Sequence, residues 1–410
     1  MRVLFTASNW PGHYFCMTPL GWALQAAGHD VRVACPAPQA AAISRAGLTP
    51  VPVLDSPDMM RMSLMMHYGE AVSGDRQAPG LPLHPYTGQP VSRLDEFDFA
   101  TEAPPFWAAC EDVVRRSYDG AVAFARSWRP DLVCHDLMTP EGALAAELTG
   151  VPSVYHPPGL FGTVETERGV DLGDPDPSGS FARYGLEPWS GTRIRFAVDP
   201  SPGSVALPFG DTVRRGMRYV PYNGPGGVPQ WLRRTPGTRR VCVLWGSSAV
   251  GAAVQVPALR AAVQAAAERG AEVVLTTTPD QLAALGELPP TVRALRNFPL
   301  HLLLATSDAI VHHGSVNCLM SAAAAGVPQV GLPLTDEQIA VTRRMAGTGA
   351  AVSVPALSAG AEQAREAVHR VLDDPAYAAA ASRLSAEMAR QPAPADLVKP
   401  LEDLAATGRF

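Results

Sequence analysis

Two series of alternating strand and helix patterns, separated by a segment rich in proline and glycine, constrain this fold most. In the first series, the apolar residues 3–5 lead through a loop into a helix that Gly28 ends. The second series begins at residues 240–245, after the stretch 223–227. Strands that alternate with helices form parallel sheets. The sequence therefore predicts an α/β protein with two Rossmann-like, doubly wound domains that face a cleft.

The chain length agrees with this division, because 410 residues exceed one typical core. We place the first domain at residues 1–218 and the linker at 219–238. The second domain then covers residues 239–384. Residues 385–410 have a helical pattern, and we expect this helix to cross back to the first domain.

Composition excludes several classes of function. The net charge of −6, without a basic block, argues against a nucleic-acid partner. No apolar run reaches the ~18 residues of a membrane span. The first residues resemble a strand and not a signal sequence, and the six scattered cysteines suit buried thiols, so we expect a cytoplasmic protein. Lys399 is the single lysine, which excludes the P-loop and protein-kinase lysines and disfavours Schiff-base chemistry.

Residues 50–105 look irregular, with many prolines and a methionine-rich run. A deformable apolar wall for a bulky acceptor is one interpretation, because methionine adapts its shape at low cost. A core-facing helix explains the run equally well. The candidate acceptor-binding residues are Met59, Met60, Met62, Met65 and Met66.

The stretch 307–319 predicts an anion site. An apolar strand runs into His312, His313 and Gly314, and a helix rich in alanine follows. A strand that ends in small residues and opens a helix leaves backbone N–H groups free to bind an anion, most often a phosphate.

Several motifs, in this order along the chain, resemble those of two-domain, nucleotide-sugar-dependent glycosyltransferases of the GT-B fold. This family includes plant natural-product enzymes and bacterial antibiotic-tailoring enzymes. The resemblance covers most of the chain and implies an acceptor-binding first domain and a nucleotide-sugar-binding second domain. Its motifs are Gly12-His13, residues 219–226, residues 229–232, residues 245–248, and His313-Gly314 with Gly326-Val327-Pro328-Gln329.

His13 and Asp136 are the candidate catalytic residues. Each follows a strand of the first series, so both are expected at the carboxyl edge of one parallel sheet, where such sheets bind ligands. A histidine can take a hydroxyl proton near neutral pH, and in the resembled family the matching aspartate orients it. Taken alone, His13 could equally be a loop histidine. His135 precedes Asp136 and should point to the opposite side, so we assign it to packing.

For the donor, the resemblance implies a diphosphate site at His313 and the helix start, whereas His312 ends the strand. Ser315, Asn317 and Cys318 stand where most bacterial relatives carry glycine, glycine and threonine, and a thiol is a poor phosphate donor. Glu337 and Gln338 match the pair that binds sugar hydroxyls. The candidate donor-binding set is Gly12, Ser247, Ser248, Phe298, His313, Gly314, Ser315, Val316, Asn317, Cys318, Glu337 and Gln338.

The resemblance therefore implies an inverting transferase that moves a deoxysugar from a nucleoside diphosphate, with TDP favoured over UDP, to a hydroxyl of an apolar polyketide-like or enediyne-like aglycone. We expect no cofactor and no metal, because Asp174-Pro175-Asp176 only imitates a metal motif of another glycosyltransferase fold. A carbon-linking transferase and a non-catalytic auxiliary protein are the alternatives. The oligomeric state stays open, a homodimer included.

Overall fold

The described part of the chain forms two parallel β-sheets with helices on both faces. The structure is a computed structural model. It describes residues 1–10, 12–76, 80–136, 138–171, 176–233, 237–246 and 257–410.

The first sheet has the strand order β3-β2-β1-β4-β5-β6-β7, and all its neighbouring strands are parallel. The order reverses between β1 and β4, which makes their carboxyl ends a topological switch point. The strands are Arg2–Thr6 (β1), Asp30–Pro36 (β2), Thr49–Leu54 (β3), Leu132–His135 (β4), Ser153–Tyr155 (β5), Phe196–Asp199 (β6) and Val213–Gly216 (β7). The accompanying helices are Thr18–Ala26 (α1), Ala40–Arg45 (α2), Met59–Ser73 (α3), Phe99–Trp128 (α4), Glu141–Thr149 (α5) and Ser180–Arg183 (α6).

The alternation of side chains along β1 explains why both faces of this sheet are covered. Val3 and Phe5 pack with Leu20 of α1 in one buried cluster. Leu4 points the other way and packs with Tyr118 of α4. A strand that is apolar on both sides is stable only between two helical layers.

The second sheet repeats this plan with the order β10-β9-β8-β11-β12-β13. Its switch point lies between β8 and β11. The strands are Arg240–Leu244 (β8), Glu272–Thr276 (β9), Val292–Leu295 (β10), Ala309–His312 (β11), Gln329–Gly331 (β12) and Ala351–Ser353 (β13). The helices are Pro257–Glu268 (α7), Pro279–Leu285 (α8), Leu300–Leu304 (α9), Val316–Ala325 (α10), Asp336–Ala346 (α11), Ala361–Asp373 (α12), Pro375–Ala389 (α13) and Val398–Thr407 (α14).

The last helix returns to the first sheet, as the sequence predicted. Leu401 and Leu404 of α14 are buried in the same cluster as Val3 and Leu24. The α/β class, the two parallel sheets and this crossover are therefore confirmed. The predicted domain limits of 1–218, 219–238, 239–384 and 385–410 remain our proposal.

The two halves of the molecule, each built around one sheet, also share a buried cluster. Leu160 and Phe161, from the loop after β5, pack against Leu319 and Met320 of α10. Close by, Arg344 of α11 makes a two-pronged ion pair with Glu165, with both N–O distances at 2.8 Å. These contacts pack residues that follow β5 against α10 and α11 of the second half of the chain.

The expectation of irregular structure over residues 50–105 was wrong in part. This stretch contains β3, α3 and the start of α4, which begins at Phe99. Asp98 starts α4 by accepting a hydrogen bond from the Thr101 N–H at 3.2 Å. Prolines hid these elements, because β3 carries two and α4 carries Pro104 and Pro105.

Candidate functional site

His13 and Asp136 meet at the switch point of the first sheet. His13 begins a short 3-10 turn after β1, and Asp136 directly follows β4. Gly12 makes the tight turn before His13 with φ of +86°. A Cβ there would lie 3.1 Å from the Phe15 ring, so glycine suits this position on two grounds.

The nearest polar partner of His13 is Ser8. The Ser8 hydroxyl lies 2.9 Å from Nδ1 of His13, whereas Oδ2 of Asp136 lies 3.9 Å from the same nitrogen. The second distance is an ion-pair distance and too long for a hydrogen bond. The Asp136 carboxylate accepts hydrogen bonds from Thr139 Oγ1 and Met138 N, at 2.7 and 2.8 Å, through its other oxygen. Sequence reasoning missed Ser8, because nothing in a loop serine marks it as a histidine partner.

Burial sets the charges of this pair. Desolvation lowers the pKa of His13 to about 4, although 36% of its side chain stays accessible from the cleft. Asp136 is almost fully buried, and burial raises its pKa to about 6 against the hydrogen bonds from Thr139 and Met138. At pH 7 the imidazole is thus neutral and the carboxylate is ionised. This is the charge state of a base with a nearby counter-charge.

His135 and His312 are packing residues. The His135 ring is buried, and its centroid lies 5.9 Å from that of the Tyr155 ring. His312 ends β11, where its Nδ1 accepts from Gly314 N and its Nε2 lies 3.0 Å from Gln329 Oε1. That arrangement requires the hydrogen on Nε2 of a neutral ring, and burial lowers the pKa of His312 to about 3.

His313 lies at the switch point of the second sheet. Its ring meets Trp245 edge-on at 6.0 Å between centroids, and Gly246 N lies 3.5 Å from its Nδ1. Burial lowers the pKa of His313 to about 4, against a hydrogen bond with the Leu244 backbone. The ring is therefore neutral at pH 7 and can offer a hydrogen bond but no charge.

The start of α10 has backbone donors in place. Gly314 has φ of +88°, and a Cβ there would lie 2.8 Å from Thr342 Oγ1, so a side chain does not fit. Among the described residues, none accepts a hydrogen bond from the N–H groups of Ser315, Val316 or Asn317. Free N–H groups at a helix start attract an anion.

The side chains of this turn point in three directions. Ser315 donates its hydroxyl to the Cys318 sulfur at 3.0 Å, and Cys318 is buried in the helix–sheet core. Val316 is buried in the cluster shared by the two halves of the molecule. Asn317 extends across the cleft, where its Nδ2 donates to the Gly12 carbonyl at 3.0 Å. The loop that carries His13, called the base loop below, and the turn at residues 314–317, called the anion-binding turn, are therefore in direct contact.

Glu337 and Gln338 lie at the start of α11. Gln338 is buried, and its Oε1 accepts from Leu334 N at 2.9 Å. Glu337 is exposed to the cleft, where the surrounding protein raises its pKa to about 7 by desolvation. Asp336 pairs instead with Arg168 of the first half at 2.6 Å. This pairing leaves Glu337 as the carboxylate that is free to meet a sugar.

Comparison with known proteins decides the family. Residues 22–246 match the profile of the N-terminal domain of the erythromycin biosynthesis protein CIII-like family, and residues 260–404 match that of its C-terminal domain. The chain belongs to this glycosyltransferase family. It is thus an enzyme that transfers sugars, of the type that tailors natural products.

Several relatives of this transferase are similar over their whole length. The 3-alpha-mycarosylerythronolide B desosaminyl transferase of Saccharopolyspora erythraea is 34% identical, with 100% of this chain and 99% of that protein covered. The aklavinone 7-beta-L-rhodosaminyltransferase of Streptomyces galilaeus is 35% identical, with 100% and 97% covered. Among solved structures, the spinosyn forosaminyltransferase SpnP has a TM-score of 0.74 at 29% identity, with 99% of this chain and 99% of that chain covered. The glycosyltransferase VinC, solved with dTDP, has a TM-score of 0.72 at 30% identity, with 99% of this chain and 100% of that chain covered.

The methionine-rich run of this glycosyltransferase is α3, and its members differ in their surroundings. Met65 is fully buried against Tyr68 and Phe97. Met66 is 54% exposed. Met59 lines a cavity beside the base loop, and Met60 and Met62 are half-buried. The acceptor role of all five stays a prediction.

Three further predictions concern the transferase's donor side and its metal content. Phe298 is half-buried and packs near Trp231, with ring centroids 6.5 Å apart. Ser247 and Ser248 lie outside the described residues, as do Asp174 and Pro175 of the Asp-x-Asp stretch.

In the described part of the chain, no group of three His, Cys, Asp or Glu side chains is placed to hold a metal. No described helix combines the length and apolar character that crossing a bilayer requires.

Proposed function

We propose that this enzyme transfers a deoxysugar, with inversion, from a TDP-sugar to a hydroxyl of an apolar natural-product aglycone. One observation carries the proposal: Asn317 places the loop of His13 directly against the anion-binding start of α10. A sugar held between them has its departing diphosphate on one side and a neutral base on the other.

The base step follows from the surroundings of the ring. Ser8 and Asp136 both face Nδ1 of His13, which leaves Nε2 to accept the acceptor's proton. The acceptor oxygen forms a bond to the anomeric carbon as the bond from that carbon to the diphosphate oxygen breaks. The diphosphate leaves with the electron pair, the proton stays on His13, and ionised Asp136 stabilises the imidazolium. One displacement from the opposite face inverts the anomeric carbon.

The diphosphate is held by dipoles and hydrogen bonds. The free N–H groups of Ser315, Val316 and Asn317 converge at the start of α10, where the helix dipole favours negative charge. In the tautomer whose Nδ1 accepts from Gly246 N, the Nε2–H of neutral His313 adds a hydrogen-bond donor. We therefore propose that catalysis needs no metal and no cofactor, with the nucleotide sugar as co-substrate. Glu337 and Gln338 then bind the sugar.

The comparisons support the choice of nucleotide and acceptor class. One relative, from Streptomyces peucetius, is named as a TDP-daunosamine transferase, and VinC was solved with dTDP. Other relatives act on aklavinone and 10-deoxymethynolide. Cys318 suggested an auxiliary protein from sequence, but its thiol lies in the core and leaves the backbone donors in place. We therefore favour an active transferase over an auxiliary protein.

His13→Ala tests the proposal. The assay combines a panel of TDP-deoxysugars with aklavinone and 10-deoxymethynolide as acceptors, and NMR of the product gives the linkage and the anomeric configuration. We expect at least a ~100-fold loss of turnover, the scale of general-base catalysis, with unchanged TDP binding in a thermal shift. Turnover equal to that of the unmodified enzyme would contradict the role of His13 as the base. If UDP and not TDP raises the melting temperature, the donor nucleotide is not TDP.

A further inference from the structure

A second polar site lies beside the base loop. A cavity of about 60 Å³ opens at the carboxyl edge of the first sheet, between the loops that follow β1, β3 and β4. Its apolar walls include Trp10, Leu54, Met59, Val114 and Met138. The volume exceeds the ~15 Å³ that one water requires, so a small group of a ligand fits.

Glu141 supplies the polar part of this cavity. It is the first residue of α5 and is only 8% exposed. Its Oε1 accepts a hydrogen bond from Ser117 Oγ at 2.9 Å. Its Oε2 is buried and has no hydrogen-bond partner among the described residues. A buried carboxyl oxygen without a partner is costly, so a ligand that supplies one gains affinity.

Helix geometry alone does not account for this residue. A carboxylate at a helix start is favoured by the dipole and by the adjacent N–H group. That explains one oxygen and leaves Oε2 without a partner among the described residues, on a side chain that lines the cavity. Burial, with Asp136 and Asp176 adding to it, raises the pKa of Glu141 to about 7. Both protonation states are then accessible near neutral pH, and either one hydrogen-bonds a hydroxyl.

The cavity also touches the network of the base. Ser8 and Thr139 line it, and these residues bond His13 and Asp136 respectively. A group held at Glu141 is therefore close to the reacting hydroxyl but distinct from it. An acceptor that uses both positions carries at least two oxygens on an otherwise apolar frame.

We propose that this cavity is an acceptor subsite in which Glu141, held by Ser117, hydrogen-bonds a second hydroxyl of the aglycone while the apolar walls pack against its carbons. The ligand class is a polyhydroxylated apolar ring system. The assignment of this ligand as the acceptor rests on the proposed function.

A matched pair of probes tests the subsite without turnover. Benzyl alcohol and ethylbenzene differ only by hydroxyl against methyl. Methyl NMR of protein labelled with ¹³C-methionine follows Met59 and Met138, which line the cavity, while buried Met320 serves as the distant reference. We expect both probes to shift the first two signals. The ratio of the two dissociation constants measures the preference for the alcohol over ethylbenzene. Glu141→Met should reduce this preference at least ~5-fold, which corresponds to one lost hydrogen bond.

Two further variants complete the design. Glu141→Gln keeps a hydrogen-bonding group and should hold the ratio within ~3-fold. Val114→Phe fills the cavity from another wall and should abolish the shifts, which decides the case even if Glu141→Met does not fold. An unchanged ratio in Glu141→Met, or no shift of Met59 and Met138 with either probe, would overturn the subsite.

Kinetics separate this proposal from the reaction itself. With an aglycone that is turned over, Glu141→Met should raise the acceptor KM at least ~5-fold and leave the TDP-sugar KM unchanged. Failure of all transfer with intact probe binding counts against the proposed function alone. Normal transfer with an unchanged probe ratio counts against the subsite alone.

Discussion

The side-chain amide of Asn317 donates a hydrogen bond to the carbonyl of Gly12 across the cleft, at 3.0 Å. The two residues are 305 positions apart, and each flanks one half of the candidate site. The Oδ1 of Asn317 is buried and has no partner among the described residues. The contact therefore ties the position of the base loop to that of the diphosphate turn.

Asn317→Ala should lower kcat/KM for the acceptor by ~5 to 10-fold, because one net hydrogen bond contributes about 1 kcal/mol. Asn317→Asp keeps the shape but places an acceptor against the Gly12 carbonyl, so its loss should be larger. Steady-state kinetics with one aglycone measures both. If Asn317→Ala matches the unmodified enzyme, the contact does not position the base loop.

With saturating TDP-sugar, so that titration of Glu337 does not enter, the pH dependence of kcat/KM for the acceptor should have an acid limb only. His13 must be neutral to act, and its pKa is lowered to about 4, while Asp136 must be ionised and its pKa is raised to about 6. The rate should thus be level above pH 7, decline as pH falls through about 6, and decline more steeply below about 4. Rates from pH 4 to 9, corrected for unfolding, give the profile.

Two variants, Asp136→Asn and Ser8→Ala, show which group causes each decline in the pH profile. Asp136→Asn should remove the decline near pH 6 and lower the plateau by at least ~10-fold, since the imidazolium loses its counter-charge. Ser8→Ala should keep both declines and lower the plateau less. A decline near pH 6 that survives in Asp136→Asn would assign that group elsewhere.

The sequence predicted the parts of the site that depend on chain order and strand alternation. His13 and Asp136 follow neighbouring strands at a switch point, alternation separated His135 from Asp136, and the family resemblance separated His313 from His312. Contacts that depend on how loops and domains pack were not predictable. The Ser8–His13 and Asn317–Gly12 contacts and the unpaired oxygen of Glu141 carry no sequence motif. Proline content also concealed β3 and the start of α4, because it marks loops as readily as it marks the ends of regular elements.

Gly314→Ala should weaken TDP binding at least ~10-fold. The left-handed backbone at φ of +88° costs a residue with Cβ about 1 to 2 kcal/mol, and that Cβ would also press on Thr342. Relief requires the turn to move, which displaces its N–H groups. Calorimetric titration with TDP measures the affinity.

Gly326→Ala is the matched control at the other end of α10. Its φ is +70°, but the nearest atom to a Cβ there is Ser385 Cβ at 3.4 Å. Urea unfolding should show a free energy of unfolding that is lowered by a similar backbone strain, whereas the affinity for TDP should stay unchanged. Equal TDP affinity in both variants would mean that the turn does not hold the diphosphate.

At pH 8, where Glu337 with its pKa of about 7 is mostly ionised, Glu337→Gln should raise the KM for the TDP-sugar at least ~10-fold, because a hydrogen bond to a charged group contributes about 1.5 to 3 kcal/mol. Affinity for TDP itself should not change, since TDP lacks the sugar. Asp336→Asn is the control: it removes the pair with Arg168 but should leave the KM within ~2-fold, because an exposed ion pair contributes little. If Asp336→Asn alone raises the KM, the sugar carboxylate is Asp336, and Arg168 holds it in place.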